Sequence, residues 1–140
     1  LGFSYYSDTD VYRHQFYLPD NTSGKIYLGL GKVKNMARIY INGDVAGTLC
    51  TNPWQLDITD FIKPANNDLE IEVINLWPNR LIGDEQLPDD GIQKGQWPEW
   101  LLKGEERNSG RYTFTTYKHY TKDSPLLESG LIGPVTINGK

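Results

Sequence analysis

Residues 77–84 read Trp-Pro-Asn-Arg-Leu-Ile-Gly-Asp, which sets an indole, an amide, a guanidinium and a carboxylate side by side: Trp77, Asn79, Arg80 and Asp84. Two more tryptophans, Trp97 and Trp100, follow in a Gly/Pro-rich segment, and Trp54 lies in another expected loop. A pyranose ring has an apolar face edged by hydroxyls. It is bound by a flat aromatic platform with amide, carboxylate and guanidinium partners nearby. These residue types supply that chemistry. They equally allow a plainer arrangement, in which Trp77 and Trp97 plug the end of a fold while Arg80 and Asp84 pair to pin a loop.

Catalytic constellations are scarce. His14 and His119 lie far apart, each in an expected strand, and no HExxH or CxxC spacing supplies the three or four convergent ligands of a metal site. His14 shares a strand face with Phe16 and Leu18 and is expected to be a hydrogen-bonded core histidine. No GxSxG elbow is present. "GLGKVKN" lacks the Lys-Ser/Thr of a phosphate loop and opens no helix. Asp84, Glu85, Asp89, Asp90, Glu99, Glu105 and Glu106 crowd one segment, but a glycosidase needs two carboxyls held about 5–10 Å apart on rigid elements. No catalytic residue is assigned. No cofactor and no required metal are expected; the one calcium arrangement the carboxylates offer is Asp8 and Asp10 with a late-chain carbonyl.

The 140 residues suit one domain, 1–140, able to bury a core without staples. Cys50 is unpaired by count and ends an apolar hairpin strand, so it is expected to be a small buried hydrophobe. A formal charge of -4 without a Lys/Arg block argues against a nucleic-acid partner. No apolar run approaches the ~18 residues of a membrane helix. Leu1 opens the chain with no basic-then-apolar leader, so a mature or excised piece of a longer protein is expected.

The elements that would position these residues follow from hydrophobic period. Residues 11–18 alternate, "KIYLGLG" sets Ile26, Leu28 and Leu30 on one face, and "MARIYINGDVAGTLC" is a hairpin turning at Asn42-Gly43. Asp57 to Ile62 reads as one capped helical turn. "DLEIEVINLW" is a long strand with Leu69, Ile71 and Val73 inward, and "RYTFTTYKHY" and "GLIGPVTING" are expected to be strands. Short strands joined by turn signals predict an all-β fold, an antiparallel two-sheet β-sandwich or jelly roll. Continuing the period of the long strand puts Asn75 and Trp77 inward. There Asn75 would be satisfied by neighbouring backbone, while residues beyond Pro78 leave the sheet as a loop.

Three stretches together, "YLGLGKVKNMARIYINGDVAGTL", "WQLDITDFIKPANNDLEIEVINLWPNRLIGDEQLP" and "YTFTTYKHYTKDSPLLESGLIGPV", carry a resemblance over nearly the whole chain. They resemble the galactose-binding-like β-sandwich of glycoside hydrolase family 2. They are more similar still to the C-terminal sandwich of family 106 α-L-rhamnosidase-type enzymes. The resemblance implies a non-catalytic accessory domain of a polysaccharide-degrading enzyme of rhamnosidase or β-galactosidase/β-glucuronidase type, secreted or periplasmic. Its implied partners are a carbohydrate and the catalytic domain of the same parent chain. By loop position it implies sugar contact at Trp77, Asn79, Arg80 and Asp84, with Trp97 and Trp100 beside them. A purely structural domain without sugar affinity is the alternative.

Overall fold

The computed structural model describes residues 4–20, 22–115 and 117–139. The chain divides into two compact units. One is Asp8–Leu76 with Glu128–Lys140, and the other is Leu1–Ser7 with Trp77–Leu127.

The first unit is built of strands. A four-stranded antiparallel sheet has the order β1-β7-β4-β5, from β1 (Thr9–Leu18), β4 (Met36–Ile41), β5 (Asp44–Leu49) and β7 (Ala65–Ile74). A three-stranded sheet has the order β6-β2-β9, from β2 (Ile26–Gly29), β6 (Gln55–Asp57) and β9 (Thr136–Gly139); β3 (Lys32–Lys34) pairs with β8 (Gly130–Gly133). The period of two explains the layering. Ile41, Ile39 and Ala37 of β4 lie opposite Leu69, Ile71 and Val73 of β7, all buried. They form one apolar cluster with Ile26, Leu28, Leu30, Val33 and Ile58. Each Leu, Ile or Val side chain so withdrawn from water contributes roughly 1.5–3 kcal/mol. Outward residues of β1 pair with those of β7 across the ladder: Arg13 donates to Glu70 at 2.6 Å and Gln15 to Asp68 at 2.7 Å. The fold is the expected all-β, antiparallel one.

The hairpin turns where expected, with φ of 53° at Asn42 and 89° at Gly43, the left-handed pair that a two-residue turn requires. The Asn42 amide donates to Asn67 Oδ1 at 2.8 Å, and buried Asn67 donates to the carbonyls of Lys63 and Ala65. A 3-10 turn, Thr59–Phe61, replaces the expected helical turn, with the Asp57 carboxylate accepting from the Thr59 amide at 3.1 Å.

Two expectations in this unit are corrected. His14 is exposed, not core. It lies opposite buried Leu69 and so on the inward side, but β1 is a sheet edge and the second sheet leaves an apolar groove of about 520 Å³ there, lined by Tyr12, Phe16, Leu131 and Val135 among others. Cys50 is exposed, because it lies just past the end of β5, itself a sheet edge. Asn75 is buried as expected. Its amide, however, donates to the Asp10 carboxylate at 2.7 Å while its backbone N–H reaches the Asp8 carbonyl at 3.2 Å, and its amide oxygen has no hydrogen-bond partner among the described residues.

The second unit is built on two short helices and long connecting segments. The stretch expected to be a loop is α1 (Pro78–Asp84), and α2 (Glu99–Lys103) follows. Proline is favoured at a first helical position because the missing N–H has no partner there in any case. Gly83 lets α1 close on Tyr5, since a Cβ there would stand 2.5 Å from the Tyr5 Cβ. Gly104 ends α2 at φ 65°. Residues 111–120, expected to be a strand, carry no ladder pairing among their described members. Here side-chain clamps replace the ladder, as set out below.

Candidate functional site

β7 ends at Ile74, so the inward period stops before Trp77, and the expectation that Trp77 serves the core is corrected: the indole is 49% exposed. It stacks on Tyr112, centroids 5.8 Å apart and planes 14° apart, and Tyr112 is itself 71% exposed. The Arg80 guanidinium lies 5.8 Å from the same Tyr112 ring, a favourable approach of a cation to a π face. Trp97, 50% exposed, stacks on Phe114 at 6.0 Å and 13°. Trp100 meets Phe114 edge-on at 6.1 Å.

Beneath these rings lies a polar scaffold. The buried Asp84 carboxylate accepts from five donors: Arg80 Nε at 2.9 Å and Arg80 Nη2 on one oxygen, and on the other the Tyr112 amide at 3.0 Å, the Thr113 amide at 2.5 Å and the Thr113 hydroxyl at 2.6 Å. Burial alone would push this carboxyl up. Thr113 with its hydroxyl and amide, then Arg80 and the Tyr112 amide, outweigh burial and hold it below its ordinary value. Asn79 is buried and reads the backbone of Leu127 with both ends of its amide, donating to the carbonyl at 2.7 Å and accepting from the N–H at 2.8 Å.

A second scaffold was not anticipated from the sequence. Asp90 binds Arg107 through both carboxylate oxygens at 2.7 Å and accepts from Ser109 at 2.5 Å. Arg107 holds the Asp90 carboxyl down to about 2 against its partial burial, with Ser109 adding to the effect. The same guanidinium stacks 5.4 Å from the Trp100 ring, whose N–H donates to the Asp90 carbonyl at 2.9 Å. Arg111, nearly buried, donates to Glu85 at 2.9 Å and to the carbonyls of Pro88 and Leu87. Lys118 pairs with Asp89 at 2.5 Å, and the Lys118 amine lowers the Asp89 carboxyl. Evenly mixed charge between 85 and 118 was the available signal; pairing partners so distant in sequence were not readable from it.

Of the six residues singled out by sequence, Trp77 and Arg80 meet at Tyr112, Arg80 and Asp84 form an ion pair, and Trp97 and Trp100 meet at Phe114. Asn79 and Asp84 are committed to holding the chain. Trp77 and Trp97 offer open ring faces. Among the described residues no three His, Cys, Asp or Glu side chains converge as metal ligands would, and no helix is long and apolar enough to cross a membrane.

Comparison with known proteins agrees with this architecture. Residues 4–116 match the family described as glycosyl hydrolase 2 galactose-binding domain-like. A Formosa agariphila protein named "Putative beta-glucuronidase" is 44% identical over 144 residues, covering 98% of this chain and 12% of its own length. Among solved structures, a rhamnosidase from Novosphingobium sp. PP1Y superposes with a TM-score of 0.70 at 33% identity, covering 95% of this chain and 11% of that one. A β-glucuronidase from Ruminococcus gnavus matches half of this chain and 12% of its own, at 26% identity and a TM-score of 0.46. The chain thus spans about an eighth or less of the length of the Formosa protein and the Novosphingobium rhamnosidase. It belongs to the galactose-binding-like domain family of glycosyl hydrolase family 2.

Proposed function

We propose that this chain is a non-catalytic accessory domain of a polysaccharide-degrading, exported glycoside hydrolase. In this reading it contacts carbohydrate on the face built by Trp77, Asn79, Arg80, Asp84, Trp97 and Trp100, and helps complete the substrate pocket of its parent's catalytic domain. The roles divide. Trp77, Arg80 and Trp97 touch the sugar; Asn79, Asp84 and Trp100 hold them in place. The observation that carries the reading is the half-exposed Trp77 stacked on Tyr112 beside the Arg80 guanidinium, an open apolar plane next to a hydrogen-bond donor. A non-catalytic role is supported by the carboxylates. Asp84 is occupied by Arg80, Tyr112 and Thr113, and Asp90 by Arg107 and Ser109, so both are committed to internal donors. The reading needs no cofactor or required metal, and the isolated chain should not hydrolyse p-nitrophenyl α-L-rhamnoside, β-galactoside or β-glucuronide above buffer rate.

Calorimetry with rhamnose, galactose and glucuronate tests it. Accessory modules bind weakly, so titrations should reach the millimolar range, where binding is worth about 4 kcal/mol. Wild-type chain should bind at least one of them, and Trp77→Ala should weaken binding while lowering the melting temperature by no more than a few degrees. Absence of binding by any of the three, with unchanged parent-enzyme kinetics for Trp77→Ala and Arg80→Ala, would favour the structural alternative. That alternative has its own support: Asp84 and Asn79 are spent on internal hydrogen bonds, which suits a face built to dock on a protein.

A further inference from the structure

The segment 111–115 is a strap whose side chains alternate in use. Arg111 and Thr113 turn inward, Arg111 to Glu85 and two carbonyls, Thr113 to Asp84. Tyr112 and Phe114 turn outward, and each is paired with a tryptophan from another part of the unit, Trp77 and Trp97 respectively. Outward neighbours two residues apart on an extended backbone stand about 7 Å from one another. The strap therefore repeats one motif, an indole stacked on a strap ring, at two neighbouring outward positions.

We infer that the strap presents two adjacent sugar subsites, one on Trp77–Tyr112 and one on Trp97–Phe114, and that its ligand is an oligosaccharide segment of two or more residues, not a lone terminal sugar. The inference rests on the carbohydrate reading above and goes beyond it in naming ligand length and the second platform. Two features favour a glycan over a protein partner. In both stacks the indole lies nearly parallel to its strap ring and all four rings are exposed, which presents flat aromatic planes rather than a knobbed surface. Both platforms are also anchored to carboxylates: the Asp84 clamp fixes the strap beneath Tyr112, and Asp90 fixes the Trp100 that braces Phe114. Such anchoring lowers the ordering cost that weak sugar binding can least bear.

The test is an indole-fluorescence and NMR titration of the 140-residue chain with rhamnose-terminated and glucuronate-terminated saccharides of one to four residues. Affinity should rise roughly tenfold from monosaccharide to disaccharide, with both Trp77 and Trp97 indole N–H signals shifting for the longer ligands. Trp97→Ala should return the tetrasaccharide to monosaccharide affinity, and its melting curve shows whether the variant is folded. Tyr17→Phe, on the exposed strand β1 and outside both platforms, should bind as wild type and guards against a preparation artefact. Equal affinity for one and four residues, with only one indole responding, would overturn the two-subsite inference while sparing the carbohydrate reading. No response to any saccharide would overturn both and leave the aromatic strip as a protein-docking face.

Discussion

The two units of this chain are held together by opposite means. The strand unit buries Ile26, Leu28, Leu30, Val33, Ala37, Ile39, Ile41, Ile58, Leu69, Ile71 and Val73, whereas among the described residues of the helical unit Ile82 is the one buried hydrophobic side chain. In place of an apolar core the helical unit has carboxylates saturated by guanidinium, hydroxyl and amide donors at Asp84 and Asp90. Apolar burial is non-directional and tolerates many sequences, while a saturated carboxylate fixes geometry and fails sharply when one partner is lost. The strand unit is thus a general scaffold. The helical unit uses its polar interior to leave its aromatic rings outside.

The contrast predicts where each unit breaks. The largest effect belongs to Asp84→Asn, which removes the charge opposite Arg80 and puts an amide among five donors. It should cost about 3–5 kcal/mol, as for a buried ion pair broken from one side, and NMR should show the loss confined to residues 77–127. Ile39→Ala should cost about 2–5 kcal/mol by leaving a cavity in the strand unit, seen as a lowered denaturation midpoint with strand-unit amides most affected. Acid should act the other way round. Because Arg107 depresses the Asp90 carboxyl from 3.8 to about 2, its stabilising contribution is intact above pH 3.8 and is lost as pH falls through about 2. Asp84 and Asp89, shifted the same way, add to that loss. Near-ultraviolet circular dichroism, dominated by the helical-unit tryptophans, should therefore collapse in that window before the strand signal does. The smallest effect should be Trp77→Ala, under about 1 kcal/mol for a half-exposed stacked ring, measured by chemical denaturation.

The same division governs what could be read from sequence. The alternation Leu69, Ile71, Val73 and the Asn42-Gly43 turn are local patterns with one physical meaning each, and both appear as expected. His14 was assigned to the right side of its strand, but its exposure depends on how far a second sheet reaches, which no local pattern encodes. Trp77 departs from the strand period because that period ends with β7 at Ile74. Pro78 followed by an Arg80–Asp84 pair at helical i,i+4 spacing was the available sign that a helix begins there. Arg111 to Phe114 alternates like a strand because alternate side chains do face opposite ways, yet the partners of the inward pair are carboxylates and not a neighbouring strand. The tryptophans were legible as candidates for a platform. Tyr112 and Phe114, which back them, were not, since that pairing joins residues far apart in the chain.

A carboxylate clamp, not an apolar core, holds the aromatic strap in place. Amide hydrogen exchange at Tyr112 and Thr113, the two N–H groups donated to Asp84, tests it most directly. In wild type both amides should be protected although they belong to no strand or helix. In Asp84→Asn both should exchange at close to unprotected rates while Ile39 and Ile71 in the strand unit keep their protection. Equal protection of Tyr112 and Thr113 in the two proteins would show that the Asp84 clamp does not hold the strap.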